Sequence, residues 1–211
     1  MIRDENATGK VQGDEKMGFD LKSARHWAEE LLRQAVTEGS KVIDATLGNG
    51  YDTEWLCGLV GDEGHVYGFD VQQEAVDRTN ERLVNAGIDH RATLFCTGHQ
   101  NVKEYVHEKV DAAVFNLGWL PGTDKNIRTM RETTLQAVEG CLELLKEGGL
   151  LTICAYPGHE EGKEELNALI EWAKGLDSKK YDAMIRGYLN QPNDPPVMFA
   201  VKKNLRKGSR K

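Results

Sequence analysis

The stretch Lys41-Val42-Ile43-Asp44-Ala45-Thr46-Leu47-Gly48-Asn49-Gly50-Tyr51-Asp52-Thr53, with Gly68-Phe69-Asp70 after it, decides the fold. Lys41-Val42-Ile43 supplies a short apolar strand, and Gly48 and Gly50 let the backbone turn tightly and approach a ligand with no Cβ in the way. Asp70 follows the last glycine by about twenty residues, where a carboxylate at the tip of a second strand accepts hydrogen bonds from ribose hydroxyls. Strand, glycine turn, helix, strand and acidic tip make a nucleotide-binding crevice.

The details of the turn select the ligand. A dinucleotide site uses G-x-G-x-x-G, with the third glycine for close helix packing and a free helix N-terminus for pyrophosphate. Thr53 stands at the third position. Asp44 ends the strand and Asp52 opens the helix, so two carboxylates would face a diphosphate, and a dehydrogenase is the weakest reading. A cationic ligand fits better. S-adenosylmethionine (SAM) offers an adenosine to the acidic strand tip, a sulfonium and an ammonium to the carboxylates, and no phosphate. Asp44 can also be read as a buried strand-end carboxylate satisfied by backbone donors.

Outward from this crevice, helix and strand alternate. Leu21, Ala24, Trp27, Ala28, Leu31, Leu32 and Ala35 recur at helical spacing before Gly39. Strands are expected at 41–46, 65–70, 92–96, 112–115 and 150–155, with helices at 51–60, 72–86, 125–146 and 160–174 and a short helix ending near Glu108. Two more strands fall near 181–189 and 197–202. Repeating βα units imply a mainly parallel sheet covered on both faces, whose ligands bind beyond the carboxyl ends of the strands.

The chain has 211 residues, 39% of them hydrophobic, enough for one ordinary domain with a full core. Residues 1–16 are polar and aperiodic and read as a disordered extension, 17–203 as the domain, and 204–211 as a basic tail. No apolar run reaches the length of a membrane span, and no signal-peptide layout opens the chain, so a cytoplasmic protein is expected without membrane contact. Cys57, Cys96, Cys141 and Cys154 lack C-x-x-C spacing and read as reduced core thiols. No His/Cys/Asp cluster has metal-ligand spacing. The net charge of −7 argues against wholesale coating of nucleic acid. Basic residues are nonetheless concentrated in the tail and at Lys125, Arg128 and Arg131, which share one side of the expected 125–146 helix. Such clusters either hold phosphates or simply meet water.

Three blocks, Asp44 to Thr53, Asn116-Leu117-Gly118-Trp119-Leu120-Pro121-Gly122-Thr123-Asp124-Lys125, and Tyr156-Pro157-Gly158-His159, occur in the order found in a family of small bacterial class I SAM-dependent methyltransferases. The chain resembles that family from about Phe19 to Lys203, with Asn190-Gln191-Pro192 and Pro195-Pro196 matching near the end. The family carries the rRNA-methylase label and includes enzymes that methylate the 5-aminomethyl group of modified wobble uridine in tRNA. The resemblance implies a Rossmann-like α/β fold with a seven-stranded, mostly parallel sheet, helices on both faces and one antiparallel strand near the C-terminus. It implies SAM as cofactor, held by Asp44, Thr46, Gly48, Asn49, Gly50, Asp52, Thr53, Asp70, Gln72, His99, Asn116, Leu117 and Gly118. It also implies tRNA, through its anticodon stem-loop, as partner. An isologous dimer accords with base rates and would help a small domain grip a tRNA stem and loop.

Chemistry is expected around Asn116. Methyl transfer from a sulfonium mainly requires an aligned nucleophile, and an amine needs its lone pair free. The Asn116 carboxamide oxygen and a backbone carbonyl of Leu117-Gly118-Trp119 can accept the N–H bonds. Tyr156 and His159 are the candidates for general base or substrate contact, while His159 is equally an exposed residue at a helix N-terminus. His99 either neighbours adenine or caps the helix that follows it. Trp119 either stacks on a nucleobase or belongs to the core, Pro121 shapes the loop, and Lys125 and Arg128 offer charge to RNA. The alternatives are an N- or O-methyltransferase of a small metabolite and a non-catalytic module that binds SAM or RNA.

Overall fold

Val42 and Ile43 are sequence neighbours buried in two different cores, one on each face of the central sheet. The same alternation separates Ala112 from Ala113, Val114 from Phe115, and Leu150 from Leu151. Such strands carry apolar side chains on both faces and need helices on both sides. The computed structural model describes residues 21–118 and 130–205.

The elements run α1 (Ala24–Ala35), β1 (Lys41–Asp44), α2 (Tyr51–Val60), β2 (His65–Asp70), α3 (Gln73–Ala86), β3 (Ala92–Cys96), α4 (Val102–Tyr105), β4 (Val110–Asn116), α5 (Arg131–Leu144), β5 (Leu145–Ala155), α6 (Glu160–Lys174), β6 (Tyr181–Arg186) and β7 (Val197–Lys203). Among the described residues the sheet has seven strands in the order β3-β2-β1-β4-β5-β7-β6. All neighbours to the β5 side of the insertion are parallel, and β7 alone runs against the others. This is the Rossmann-like, mostly parallel seven-stranded sheet with one antiparallel strand that the resemblance implies. One core gathers α1, α2 and α3, and the other α4, α5 and α6. Strand order reverses between β1 and β4, the switch point beyond whose carboxyl ends sheets of this kind bind their ligands.

Several local expectations change. α1 starts after Ser23, whose Oγ accepts from the His26 N–H, and it stops at Ala35 well before Gly39 because Val36 turns to extended backbone. α5 begins at Arg131, and Met130 before it is extended, so the expected helix is broken at 130; Lys125 and Arg128 lie outside the described residues. The Met130 carbonyl instead accepts from Thr134 N and Thr133 Oγ1 and opens the helix. β5 starts at Leu145 because the chain resumes pairing with Val110 directly after α5; Gly148, at φ 84°, then carries the extra residues before Leu150 meets Ala112. Cys57, Cys141 and Cys154 are buried, but Cys96 is exposed, since β3 is an edge strand. No described helix is long and apolar enough to cross a membrane.

Candidate active site

Asp44 ends β1 almost fully buried, at 1% exposure. Its Oδ1 accepts from the Thr46 N–H at 3.1 Å and its Oδ2 from the Thr53 hydroxyl at 2.6 Å. Burial, then the nearby Asp52 charge, pushes its carboxyl up to about 7 against these two hydrogen bonds. The chain next wedges between two strands, because Ala45 N bonds to Val114 O of β4 and Leu47 N to Phe69 O of β2. Gly48 and Gly50 have φ of 55° and 78°. Gly50 caps α2, and a Cβ there would lie 2.8 Å from Thr79 Oγ1 and 3.0 Å from Thr79 Cα on α3. The turn thus needs glycine both for its dihedral and for helix packing.

Asp70, at the tip of β2, accepts from Gly48 N and from Gln72 N, each at 3.0 Å. Its carboxyl is raised by burial, with the backbone donors opposing. Gln72 caps α3. Asn49 between the glycines is held from α3, where Arg78 Nη1 donates to its Oδ1 at 3.2 Å and Arg82 Nε to its carbonyl at 3.0 Å. Arg82 also donates to Glu54 and lies over the Tyr51 ring at 3.8 Å. An open cavity of about 630 Å³ lies here, between the starts of α2 and the outer face of α3.

His99 follows β3 in a 3-10 turn and is buried. Its Nδ1–H donates to the Ala45 carbonyl at 3.1 Å, which fixes the neutral tautomer, and burial holds its pKa below the ordinary value. Asn116 ends β4. Its N–H donates to Thr46 Oγ1 at 2.7 Å and its Nδ2 to Asp52 Oδ2 at 3.3 Å. Asn116 Oδ1 is buried and finds no hydrogen-bond partner among the described residues. Leu117 is buried with its N–H on Cys154 O, and Gly118 has φ 124°. The Tyr156 hydroxyl, beyond β5, has its pKa pushed up to about 12 chiefly by burial, with the Asn116 side chain opposing. It is a neutral hydroxyl at physiological pH. His159 caps α6, its Nδ1 accepting from the Gly162 N–H at 3.0 Å.

The glycine turn, Asp70, His99, Asn116 and Tyr156 therefore all fall at one end of the sheet. Trp119, Pro121, Lys125 and Arg128 lie outside the described residues. Sequence reading missed Arg25, whose Nη2 meets Asp52 Oδ1 at 2.6 Å, and it missed Arg78 and Arg82. The one available signal was the Arg78/Arg82 spacing of four residues, one turn of α3.

A family model described as "Putative rRNA methylase" matches residues 66–202. The chain belongs to that family. It is 35% identical over 195 residues to the chloroplastic tRNA (mnm(5)s(2)U34)-methyltransferase of Arabidopsis thaliana, spanning 88% of this chain and 71% of the relative. A Clostridium thermocellum rRNA-methylase structure of the same description is 39% identical, with a TM-score of 0.86 over 88% of this chain and all of that one. A Streptococcus mutans methyltransferase solved with S-adenosylhomocysteine (SAH) is 37% identical, with a TM-score of 0.80 over 87% of this chain and 99% of that one.

This member of the family is a SAM-dependent methyltransferase. The donor set suits that cofactor. Asp44 and Asp70 could offer acidic groups to a cation and to ribose hydroxyls, the glycine turn leaves space for a close approach, and Asn116 Oδ1 is a buried acceptor with no partner among the described residues. When bound, SAM supplies an electrophilic methyl on a sulfonium whose departure as a neutral thioether drives the transfer.

Proposed function

We propose that the chain methylates RNA, and specifically the exocyclic amine of a 5-aminomethyl-type uridine at the wobble position, reached through the tRNA anticodon stem-loop. The observation that carries this reading is Asn116 Oδ1, a buried carbonyl at the carboxyl end of β4 with no partner among the described residues. An amine that donates an N–H to it is desolvated and held with its lone pair directed away from the bond, as an in-line displacement requires. The likeness to a relative named for mnm5s2U34 supports the choice of amine.

The remaining roles follow from position. Asp70 accepts from the ribose, with Gln72 beside it, and His99 lines the adenine side. Gly48, Asn49 and Gly50 admit the methionine part, and Thr46 and Thr53 hold the surrounding main chain and Asp44 in place. Leu117 and Gly118 carry the backbone past the reacting atoms. Tyr156 offers a neutral hydroxyl to the substrate, and His159 shapes the rim through its cap of α6. No group needs to remove a proton before transfer if the amine arrives neutral; the alkylated nitrogen releases its proton afterwards to water.

The test is methyl incorporation from labelled SAM into total tRNA from cells lacking this activity, read by nucleoside mass spectrometry. The expected result is the mass of one methyl added to an aminomethyl-uridine. Transfer to a small amine but to no nucleoside would replace RNA with a metabolite as substrate. SAM binding with no transfer at all would make the chain a binding module.

A further inference from the structure

We infer that Asp52 and Arg25 are positioning residues that fix which way round the Asn116 carboxamide sits, and thereby restrict the acceptor to groups that arrive carrying an N–H or O–H. This rests on the acceptor role given to Asn116 above. The two ends of a carboxamide are nearly the same shape and opposite in hydrogen bonding. With the oxygen outward, the site accepts from an amine and leaves its lone pair free. With the NH2 outward, the site would donate into that same lone pair and disable the nucleophile.

The main chain of Asn116 has no freedom to make this choice. Its N–H is bound to Thr46 Oγ1, and its strand is paired with Cys154 of β5. Only the side-chain flip remains. Asp52 decides it, because a carboxylate only accepts hydrogen bonds, so the face of Asn116 that lies 3.3 Å from Asp52 Oδ2 must be the NH2. The flipped rotamer would set two oxygens against each other in a half-buried place. The Asn116 side chain also favours the ionised form of the Tyr156 hydroxyl, as a donating NH2 does, and Oδ1 is left as the group without a partner among the described residues.

Asp52 is itself held from a remote part of the sequence. Arg25, in the first turn of α1, donates from Nη2 to Asp52 Oδ1 at 2.6 Å, while its Nε meets Glu29 at 3.2 Å. The docking of α1 thus sets the aim of Asp52, and Asp52 sets the aim of Asn116. A direct Asp52 contact to SAM, the sequence expectation, is the competing role.

Five variants separate these readings: Asn116→Ala, Asp52→Asn, the pair combined, Arg25→Lys and Arg25→Gln. Steady-state rates with tRNA from cells lacking the activity give kcat and KM, and calorimetry gives the Kd for SAM. We expect Asp52→Asn to lower kcat by about twofold or more with the SAM Kd kept, because both flips become allowed and only one turns the acceptor oxygen outward. The double variant should be no slower than Asn116→Ala alone, and Arg25→Lys should retain more turnover than Arg25→Gln. If Asn116→Ala is slow but Asp52→Asn is not, or if Asp52→Asn weakens SAM binding and spares kcat, the positioning role is wrong and the acceptor role stands. Full turnover by Asn116→Ala removes the acceptor role and this inference with it. A readout without RNA is the Asn116 side-chain amide in a nitrogen-15 NMR spectrum of the whole protein: its pair of signals should move in Asp52→Asn, and an unmoved pair overturns the contact.

Discussion

Asp70 Oδ2, at the tip of β2, lies 3.0 Å from the Gly48 nitrogen and accepts its hydrogen bond, so the acidic strand tip and the glycine turn form one mechanical unit. Asp70→Ala therefore removes the proposed ribose acceptor and a tether of the turn together. Affinity for SAM should fall by about 1.5–3 kcal/mol, the range for hydrogen bonds to charged groups. An unchanged calorimetric Kd would take Asp70 out of the site.

Gly50→Ala should damage both the turn and the packing of α2 on α3. The left-handed φ of 78° costs a Cβ-bearing residue about 1–2 kcal/mol, and the contact with Thr79 Cα at 3.0 Å adds to it. The urea midpoint should drop with the slope unchanged, and SAM affinity should drop with it. A midpoint equal to that of the natural chain would contradict the packing described.

Asp44 and His99 should tilt stability with pH in opposite directions. The Asp44 carboxyl is raised from 3.8 to about 7. Between those values the folded chain keeps a proton that the unfolded chain releases, so this contribution is present below about pH 4 and is lost as pH rises towards 7. The His99 pKa is lowered by burial. Its contribution is present above the ordinary imidazole value and is lost as pH falls below it. Asp44→Asn should leave a chain that loses stability towards acid, and His99→Gln one that loses it towards neutrality. Parallel profiles from denaturant titrations at pH 5 to 8 would refute this assignment.

Cofactor binding should follow the ionised form of Asp44. A cation bound nearby lowers the carboxyl pKa, so SAM binding near pH 7 should release protons and tighten as pH rises. Calorimetry in buffers of different ionisation enthalpy reads that release directly. Asp44→Asn should abolish it.

Arg82→Ala should loosen the turn from behind, since it removes the bonds to Asn49 O and Glu54 and the cover over Tyr51. The expected loss in SAM affinity is about 1 kcal/mol, or about fivefold in Kd. Arg82→Lys should recover little, because a single ammonium cannot span Asn49 and Glu54 as the guanidinium fork does. Equal affinity in all three proteins would show that the turn holds its shape unaided.

Sequence reading succeeded where short-range pattern determines structure. Runs such as Ala112-Ala113-Val114-Phe115 are apolar throughout and β-compatible, and βα alternation then carries Asp44, Asp70, His99, Asn116 and Tyr156 to one end of the sheet. It failed where distant segments decide. Nothing local marks Met130 as extended, Leu145 as already paired, or Cys96 as lying on an edge. The Arg25 to Asp52 contact depends on where α1 docks across β4, β5 and β7, which no spacing within either segment encodes. The sequence placed the strand order in the resemblance alone, and the pairing of β7 between β5 and β6 agrees with it.

That insertion of β7 ties the active end of the enzyme to the direction of its synthesis. β5 carries the chain into Tyr156, yet its second edge is closed only by residues 197–203, with Leu150 opposite Lys202. Until the ribosome has passed Lys203, β5 presents a bare row of amides and carbonyls, and Ile153 and Leu151 lack Phe199 and Val201 beside them. The β1–β2 pair is complete in sequence by Asp70, whereas the far edge of β5 is closed only by the final hairpin. A polypeptide released before that point would carry the crevice and an open, adhesive edge.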